Sequence, residues 1–257
     1  MTRLAIIIPA RMESVRFPGK VLYPILGKPL VVQVAMGASE CTHADKVIVA
    51  TDDEGIQQAV EDAGYEARMT SPDHPSGTDR VWEVAKSLDE EWIINLQGDE
   101  PLITGKVLDS IADVVMGDGG AGYEIVTLVR PLEPSEAIDP NRVKVVTDRS
   151  MNALYFSRSP IPYVKSRPIE QKSGDISYQY LLHVGLYLYR RDVLESFVSL
   201  KQTPLEISEG LEQLRALENG IRIHCVLTNH EFLGVDTKTD VPRVEAALRA
   251  REAKPGT

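Results

Sequence analysis

A chain of 257 residues, 43% hydrophobic and 26% charged, is long enough to bury a large α/β core and has the composition of an ordinary soluble globular protein. Its formal charge of −10 argues against the basic face of a nucleic-acid binder, so a polyphosphate ligand must be met by cations gathered in one place. No apolar run approaches the roughly 20 residues of a spanning helix, and no basic segment followed by an apolar one opens the chain. We therefore expect no membrane partner, no signal peptide and a cytoplasmic location. Cys41 and Cys225 lack any CxxC or Cys/His pairing and read as free buried thiols.

Leu4-Ala5-Ile6-Ile7-Ile8, ended by Pro9, reads as a fully buried strand of a parallel sheet. The loop after it carries Arg11, Arg16 and Lys20 within ten residues. Such cations often serve only as solvated surface. In an open α/β sheet, however, ligands sit beyond the carboxyl ends of the strands, and Pro18-Gly19 shapes the backbone there. A phosphate trap is the favoured reading, with arginine giving a planar fork and lysine a mobile point charge. The loop matches neither GxxxxGK[ST] nor GxGxxG.

Pro29 is placed as the first residue of a helix reaching about Glu40. Lys46–Ala50 is a second buried strand. Asp53 caps a helix with Ile56, Val60 and Ala63 on one face, ending at Gly64, and Tyr65–Met69 is a short third strand. This alternation implies right-handed crossovers and a parallel sheet. Ser76-Gly77-Thr78 opens a helix carrying Val81, Trp82, Ala85 and Leu88. It is either a plain N-cap or a set of N–H and hydroxyl donors for a base or phosphate. His74 reads as a hydrogen-bonding residue of the loop before it. The strand Trp92–Leu96 delivers Gln97-Gly98-Asp99-Glu100-Pro101, where an acid either holds Mg²⁺ against phosphates or makes a solvated turn. A helix over Thr104–Met116 and a flexible glycine-rich surface turn over Gly117–Gly122 follow.

From Glu124 onward, Ile125–Val129, Val143–Val146, Ala153–Phe156 and Tyr178–Tyr189 read as strands. They form a small antiparallel lobe over about 124–190, for the acceptor substrate and dimerisation, inside an otherwise single α/β domain. Alternation puts His183 and Gly185 on one face with Leu181 and Tyr187, where a histidine is by default a core or hydrogen-bonding residue. Thr203-Pro204-Leu205-Glu206 is a capping box for a helix closed by Gly220. Its buried stripe is Ile207, Leu211, Leu214 and Leu217, with Glu212 and Gln213 beside it. Ile221–Leu227 is a last strand. Asp236 precedes a helix capped by Thr237 with Asp240 at N3; it is either structural or the second carboxylate of a metal site.

Nine stretches resemble, in order, the motifs of 3-deoxy-D-manno-octulosonate (Kdo) cytidylyltransferases. They are IIPAR…S.RFPGK (Ile7 to Lys20), VATDD (Val49 to Asp53), MTSPDHPSGTDR (Met69 to Arg80), NLQGDEP (Asn95 to Pro101), NRVKVV, ALYFSR.PIP, HVGLYLYR, PLE…LEQLRALENG and GVDT, spanning about Leu4 to Arg249. The resemblance implies a Rossmann-like (GT-A-like) nucleotidyltransferase fold: a mainly parallel sheet flanked by helices, with a small antiparallel lobe. It implies a homodimer and a Mg²⁺-dependent reaction of CTP with Kdo, giving CMP-Kdo and pyrophosphate for lipopolysaccharide biosynthesis.

By the same resemblance, Arg11, Arg16 and Lys20 bind the triphosphate, with Ala10, Ser76 and Gly77 beside the nucleotide. Asp99 and Asp236 hold Mg²⁺ and complete the catalytic set with Arg11 and Lys20. Gln97 lies near the sugar; Arg158, His183, Tyr187, Glu212 and Gln213 line its pocket, with Arg158 or Arg167 pairing its carboxylate. Two departures stand out: Val21 where a smaller residue is expected, and Tyr163–Ser177, which matches no pattern and leaves 8-amino-Kdo or a sialic-acid-type sugar open. A glycosyltransferase of related fold would carry a DxD motif, which Asp52-Asp53 and Gly98-Asp99-Glu100 do not supply. A non-catalytic nucleotide-binding module would not need both Asp99 and Asp236.

Overall fold

Five consecutive apolar residues leave a strand no polar face, so it must be covered on both sides. The computed structural model describes residues 2–14, 16–117, 120, 122–165 and 178–253, and in it Leu4 to Ile8 have no solvent exposure. The chain forms two compact units, Met1–Gly119 with Glu231–Thr257, and Gly120–His230.

In the first unit the chain runs from β1 (Leu4–Ala10) through a small antiparallel ribbon, β2 (Pro24–Ile25) and β3 (Lys28–Pro29), into α1 (Leu30–Ala38). Then come β4 (Lys46–Thr51), α2 (Glu54–Asp62), β5 (Glu66–Met69), α3 (Gly77–Ala85), β6 (Trp92–Asn95) and α4 (Gly105–Met116). The strands lie in the order β6-β1-β4-β5, all parallel. Asp53 and Ser76 cap α2 and α3 through their side chains where the sequence predicts a cap, while Thr104, expected as the first helical residue, is the side-chain cap of α4.

Two prolines behave differently from expectation. Pro9 does not end β1, which continues to Ala10 opposite Thr51. Pairing with β6 stops at Ile7, so Pro9 has a single neighbouring strand and its missing N–H is tolerated. Pro29 is not the first helical residue; it is extended (φ −51°, ψ 142°) and pairs with Pro24, so α1 starts one residue later. The glycine-rich turn expected at 117–122 lies partly outside the described residues.

The second unit contains β7 (Ile125–Leu132), β8 (Lys144–Thr147), β9 (Ala153–Ser157), β10 (Tyr180–Arg190), α5 (Arg191–Ser199), α6 (Pro204–Glu209), α7 (Gln213–Glu218) and β11 (Ile223–Leu227). Its strands are ordered β11-β7-β10-β8-β9, antiparallel except for the β11–β7 pair. The alternation expected along β10 is interrupted: register shifts between Val184 and Tyr187, and Gly185 is exposed. The Thr127 hydroxyl sits at this irregularity, 2.8 Å from the Leu186 carbonyl and 3.1 Å from that of Val184. Helix α5 was not expected, because no side chain caps its start at Arg190 to announce it.

The single helix expected from Thr203 to Gly220 is two helices. The capping box of Thr203 and Glu206 forms as read, but Gly210 takes a left-handed conformation (φ 61°, ψ 43°) and ends α6. Helix α7 then starts at Gln213. Because the helical phase breaks at Gly210, the expected stripe does not survive: Leu211 and Leu214 are buried, whereas Ile207 is 65% exposed.

The chain then returns to the first unit, where Thr237 and Asp240 form a capping box just before α8 (Val241–Glu252). Val235, Val241, Val244 and Leu248 pack with Phe17, Ile25, Leu30 and Leu102 in one buried cluster. That packing carries Asp236 into the first unit.

Candidate active site

Beyond the carboxyl ends of β1 and β6, the first unit holds a cavity of about 1000 Å³. Nine residues singled out from the sequence line it: Ala10, Arg11, Arg16 and Lys20 from β1 and its loop, Ser76 and Gly77 at the start of α3, Gln97 and Asp99 after β6, and Asp236. Gly19 shapes the cationic loop. It is left-handed (φ 70°), and its N–H donates to the Met12 carbonyl at 3.1 Å, closing the loop just before Lys20.

The Lys20 ammonium is largely buried. It contacts the Asp99 carboxylate, donates to the Val235 carbonyl at 3.1 Å and stands 3.9 Å from Asp236 Oδ1. Arg16 donates to that same Oδ1 at 3.1 Å. The Val235 N–H donates to the Asp99 carbonyl at 2.9 Å, so the two segments bearing the carboxylates are joined through the backbone as well. Two carboxylates and two cations thus converge within one wall.

This donor set fits Mg²⁺, which is typically held by one or two carboxylates together with substrate phosphates. Asp99 and Asp236 already aim at a common cation, the Lys20 ammonium. Among the described residues no group of three His, Cys, Asp or Glu side chains forms a protein-only metal cage.

At the start of α3, the Ser76 hydroxyl accepts the Asp79 N–H at 3.2 Å and donates to the Asp79 carboxylate at 2.6 Å. Ser76 is therefore the N-cap that the sequence predicts and at the same time a residue of the cavity wall. Gln97 donates to Asn95 at 3.2 Å, and Asn95 to Thr78 at 3.3 Å, linking β6 to the first turn of α3. His74 contacts the Glu83 carboxylate, which also accepts the Ser71 N–H at 2.9 Å; this is the loop role expected for it. The hydrogen bond from His74 holds the Glu83 carboxyl below its usual value.

Sequence reasoning did not single out Arg80 or Glu100. Arg80 is 3% exposed, lines the cavity, and donates to Asp52 at 2.7 Å and to the Thr70 hydroxyl. The signal lay in VATDD and HPSGTDR: Asp52 of the first meets Arg80, which ends the second. Glu100 stands behind Asp99. Burial, with the charges of Asp99 and Asp236, pushes its carboxyl up to about 8, and its Oε2 has no hydrogen-bond partner among the described residues.

The remaining expected residues belong to the second unit. His183 packs edge-on against Phe156 (4.9 Å between ring centres) and tilted against Tyr187 (5.3 Å), with Nε2 3.1 Å from the Thr127 hydroxyl. Burial pushes its pKa down to about 3, so the ring is neutral. Burial, then the neighbouring Tyr189, Glu212 and Cys225, raises the Tyr187 phenol well above its usual value, which places Glu212 within electrostatic reach of Tyr187. Gln213 is 7% exposed at the start of α7. The Arg158 guanidinium donates to the carbonyls of Glu209, Pro140 and Gly210. Arg167 lies outside the described residues. Both cysteines are free and buried, and burial pushes each thiol up to about 12.

The family model described as "Cytidylyltransferase" matches residues 5–223. The chain belongs to the cytidylyltransferase family. This cytidylyltransferase is 47% identical over 254 residues to the 3-deoxy-manno-octulosonate cytidylyltransferase of Pelobacter propionicus, covering 96% of this chain and 98% of that one. It is 48% identical over 252 residues to the protein of that name from Solibacter usitatus, covering 95% and 94%. A solved structure of CMP:2-keto-3-deoxy-manno-octonic acid synthetase complexed with CTP is 40% identical, with a TM-score of 0.89 over 98% of this chain and 100% of that chain. A cytidylyltransferase from Leptospira borgpetersenii, 17% identical, shares the fold with a TM-score of 0.63 over 97% of this chain and 88% of that chain. The nucleotidyltransferase architecture expected from the motifs is the fold of this chain.

Proposed function

We infer that this cytidylyltransferase couples CTP to Kdo, giving CMP-Kdo and pyrophosphate for lipopolysaccharide biosynthesis. The observation that carries the reading is the convergence of Lys20, Arg16, Asp99 and Asp236 at a cavity bordered by the start of α3. It occurs in a chain nearly half identical to proteins named for that reaction.

In this reading the anomeric hydroxyl of Kdo attacks the α-phosphorus of CTP in line and pyrophosphate leaves. Arg11 and Arg16 offer guanidinium forks to the triphosphate, and Lys20 offers a point charge. The N-terminal amides of α3 beside Gly77 add fixed partial positive charge. Cations and amide dipoles of this kind stabilise the charge that builds on the departing pyrophosphate. Asp99 and Asp236 would hold Mg²⁺, which when bound neutralises phosphate charge. Gln97, His183, Tyr187, Glu212 and Gln213 orient the sugar. Catalysis then rests on positioning and charge, with no covalent enzyme intermediate. A cytoplasmic homodimer is the expected working form.

The test is pyrophosphate release from CTP and Mg²⁺ with Kdo, 8-amino-Kdo or N-acetylneuraminate supplied separately. Release with Kdo at the highest kcat/KM is expected. Preference for either other sugar would replace the acceptor, and no release with any of them despite CTP binding would remove the reaction.

A further inference from the structure

Lys144 of β8 has no solvent exposure, yet it carries an ammonium, which donates to the carbonyls of Asp139 at 3.0 Å and Arg158 at 2.5 Å. A buried ammonium is costly unless its donors are met, and a methionine would fill similar space without that cost. The N–H of the same Arg158 donates to the Glu209 carboxylate at 2.9 Å. Both main-chain groups of Arg158 are therefore held by charged side chains from two other elements, β8 and α6.

Glu209 is engaged further. It accepts the Ser157 hydroxyl at 2.6 Å and the Tyr155 hydroxyl at 3.4 Å. Against the upward push of burial, the bonds from Ser157 and Arg158 hold its carboxyl below the usual value. From this fixed backbone the Arg158 side chain reaches the carbonyls of Glu209 (2.6 Å), Pro140 (3.1 Å) and Gly210 (3.2 Å). The end of β9, the loop at Asp139-Pro140 and the left-handed Gly210 are thereby tied into one network.

Ending a six-residue helix needs only the conformation of Gly210, so this network exceeds what the break itself requires. Two and three residues beyond the break stand Glu212 and Gln213. Gln213 is 7% exposed, and its Nε2 meets no acceptor among the described residues. A binding group of that kind needs a rigid support to stay in register with its ligand.

We propose that Lys144 and Glu209 are positioning residues: acting through Arg158 and the Gly210 turn, they set the place of Glu212 and Gln213 for the acceptor sugar. The proposal rests on the reading that this stretch takes the acceptor. Neither side chain touches substrate; each acts by fixing the backbone that presents the groups which do.

The experiment is steady-state kinetics on the full chain, varying Kdo at saturating CTP and CTP at saturating Kdo, for wild type, Lys144→Met, Glu209→Gln and, as a reference, Gln213→Ala. Thermal melts accompany each variant. Lys144→Met and Glu209→Gln are expected to raise the KM for Kdo about tenfold while the KM for CTP stays within about twofold. If Gln213→Ala raises the KM for Kdo and a folded Glu209→Gln does not, the network is merely structural and the proposal fails, while the acceptor reading stands. If Gln213→Ala leaves the KM for Kdo unchanged, the acceptor reading of this stretch falls and takes the proposal with it. An equal rise in both KM values also overturns it, because a general loosening would act on both substrates. Should Lys144→Met not fold, Glu209→Gln decides alone.

Discussion

Lys20 meets three partners at once, the carboxylates of Asp99 and Asp236 and the carbonyl of Val235, and so links the chain's first loop to both acidic segments. Its place in a cationic loop after a buried strand was legible; its double pairing was not, because two of its partners lie 215 and more residues away. Asp236→Asn keeps the size of the side chain and removes its charge. It should lower kcat at least about a hundredfold, on the scale of losing one electrostatic contact to the transition state, while leaving the melting temperature near wild type; steady-state kinetics beside a melt checks both. Glu83 offers a separate test by pH. Its carboxyl is depressed below the ordinary 4.5, so its stabilising effect is fully present above that value and is lost as pH falls through the lower folded-state value. Glu83→Gln should therefore melt earlier than wild type at pH 7, and the gap should close under acid conditions, as read by melting temperatures across a pH series.

At the scale of elements, β1, β4 and β6 were legible because a run of apolar residues has few other stable fates, and α2 and α3 because Asp53 and Ser76 announce their starts. Helix α5 lacks such a cap and went unseen. The α6–α7 break was hidden for another reason: an isolated glycine within a helical pattern is tolerated, so Gly210 alone does not declare a stop. Only its left-handed backbone, fixed by the packing around it, ends the helix. Gly210→Ala places a Cβ in that conformation and should cost about 1 kcal/mol. For a chain of this size that is a fall of roughly 2–4 °C in melting temperature, and an unchanged melt would mean that the turn relaxes into another conformation.

At the scale of the molecule, a chain of net charge −10 gathers Arg11, Arg16 and Lys20 at one cavity. A polyphosphate that binds only the folded state must stabilise it, by about 2.7 kcal/mol at a hundred times its Kd. CTP with Mg²⁺ should accordingly raise the melting temperature, and Lys20→Ala should shrink that rise at equal ligand concentration; an undiminished rise would take Lys20 out of the nucleotide site. By itself the sequence determined which segments are buried strands, that Asp53 and Ser76 cap their helices, and, through nine ordered motifs, the family and nine of the residues that line the cavity. These are local properties: apolar runs, cap chemistry and spacing survive in one dimension. What only the tertiary structure decided was that Asp236 shares a cation with Asp99, that Arg80 meets Asp52, and that Glu100 is half-buried beside the acidic pair. Each depends on segments distant in sequence being packed together, in the case of Asp236 by Val235, Val241, Val244 and Leu248 entering the same cluster as Phe17 and Leu30. Burial sets both the partner and the charge state, and no spacing along the chain encodes it.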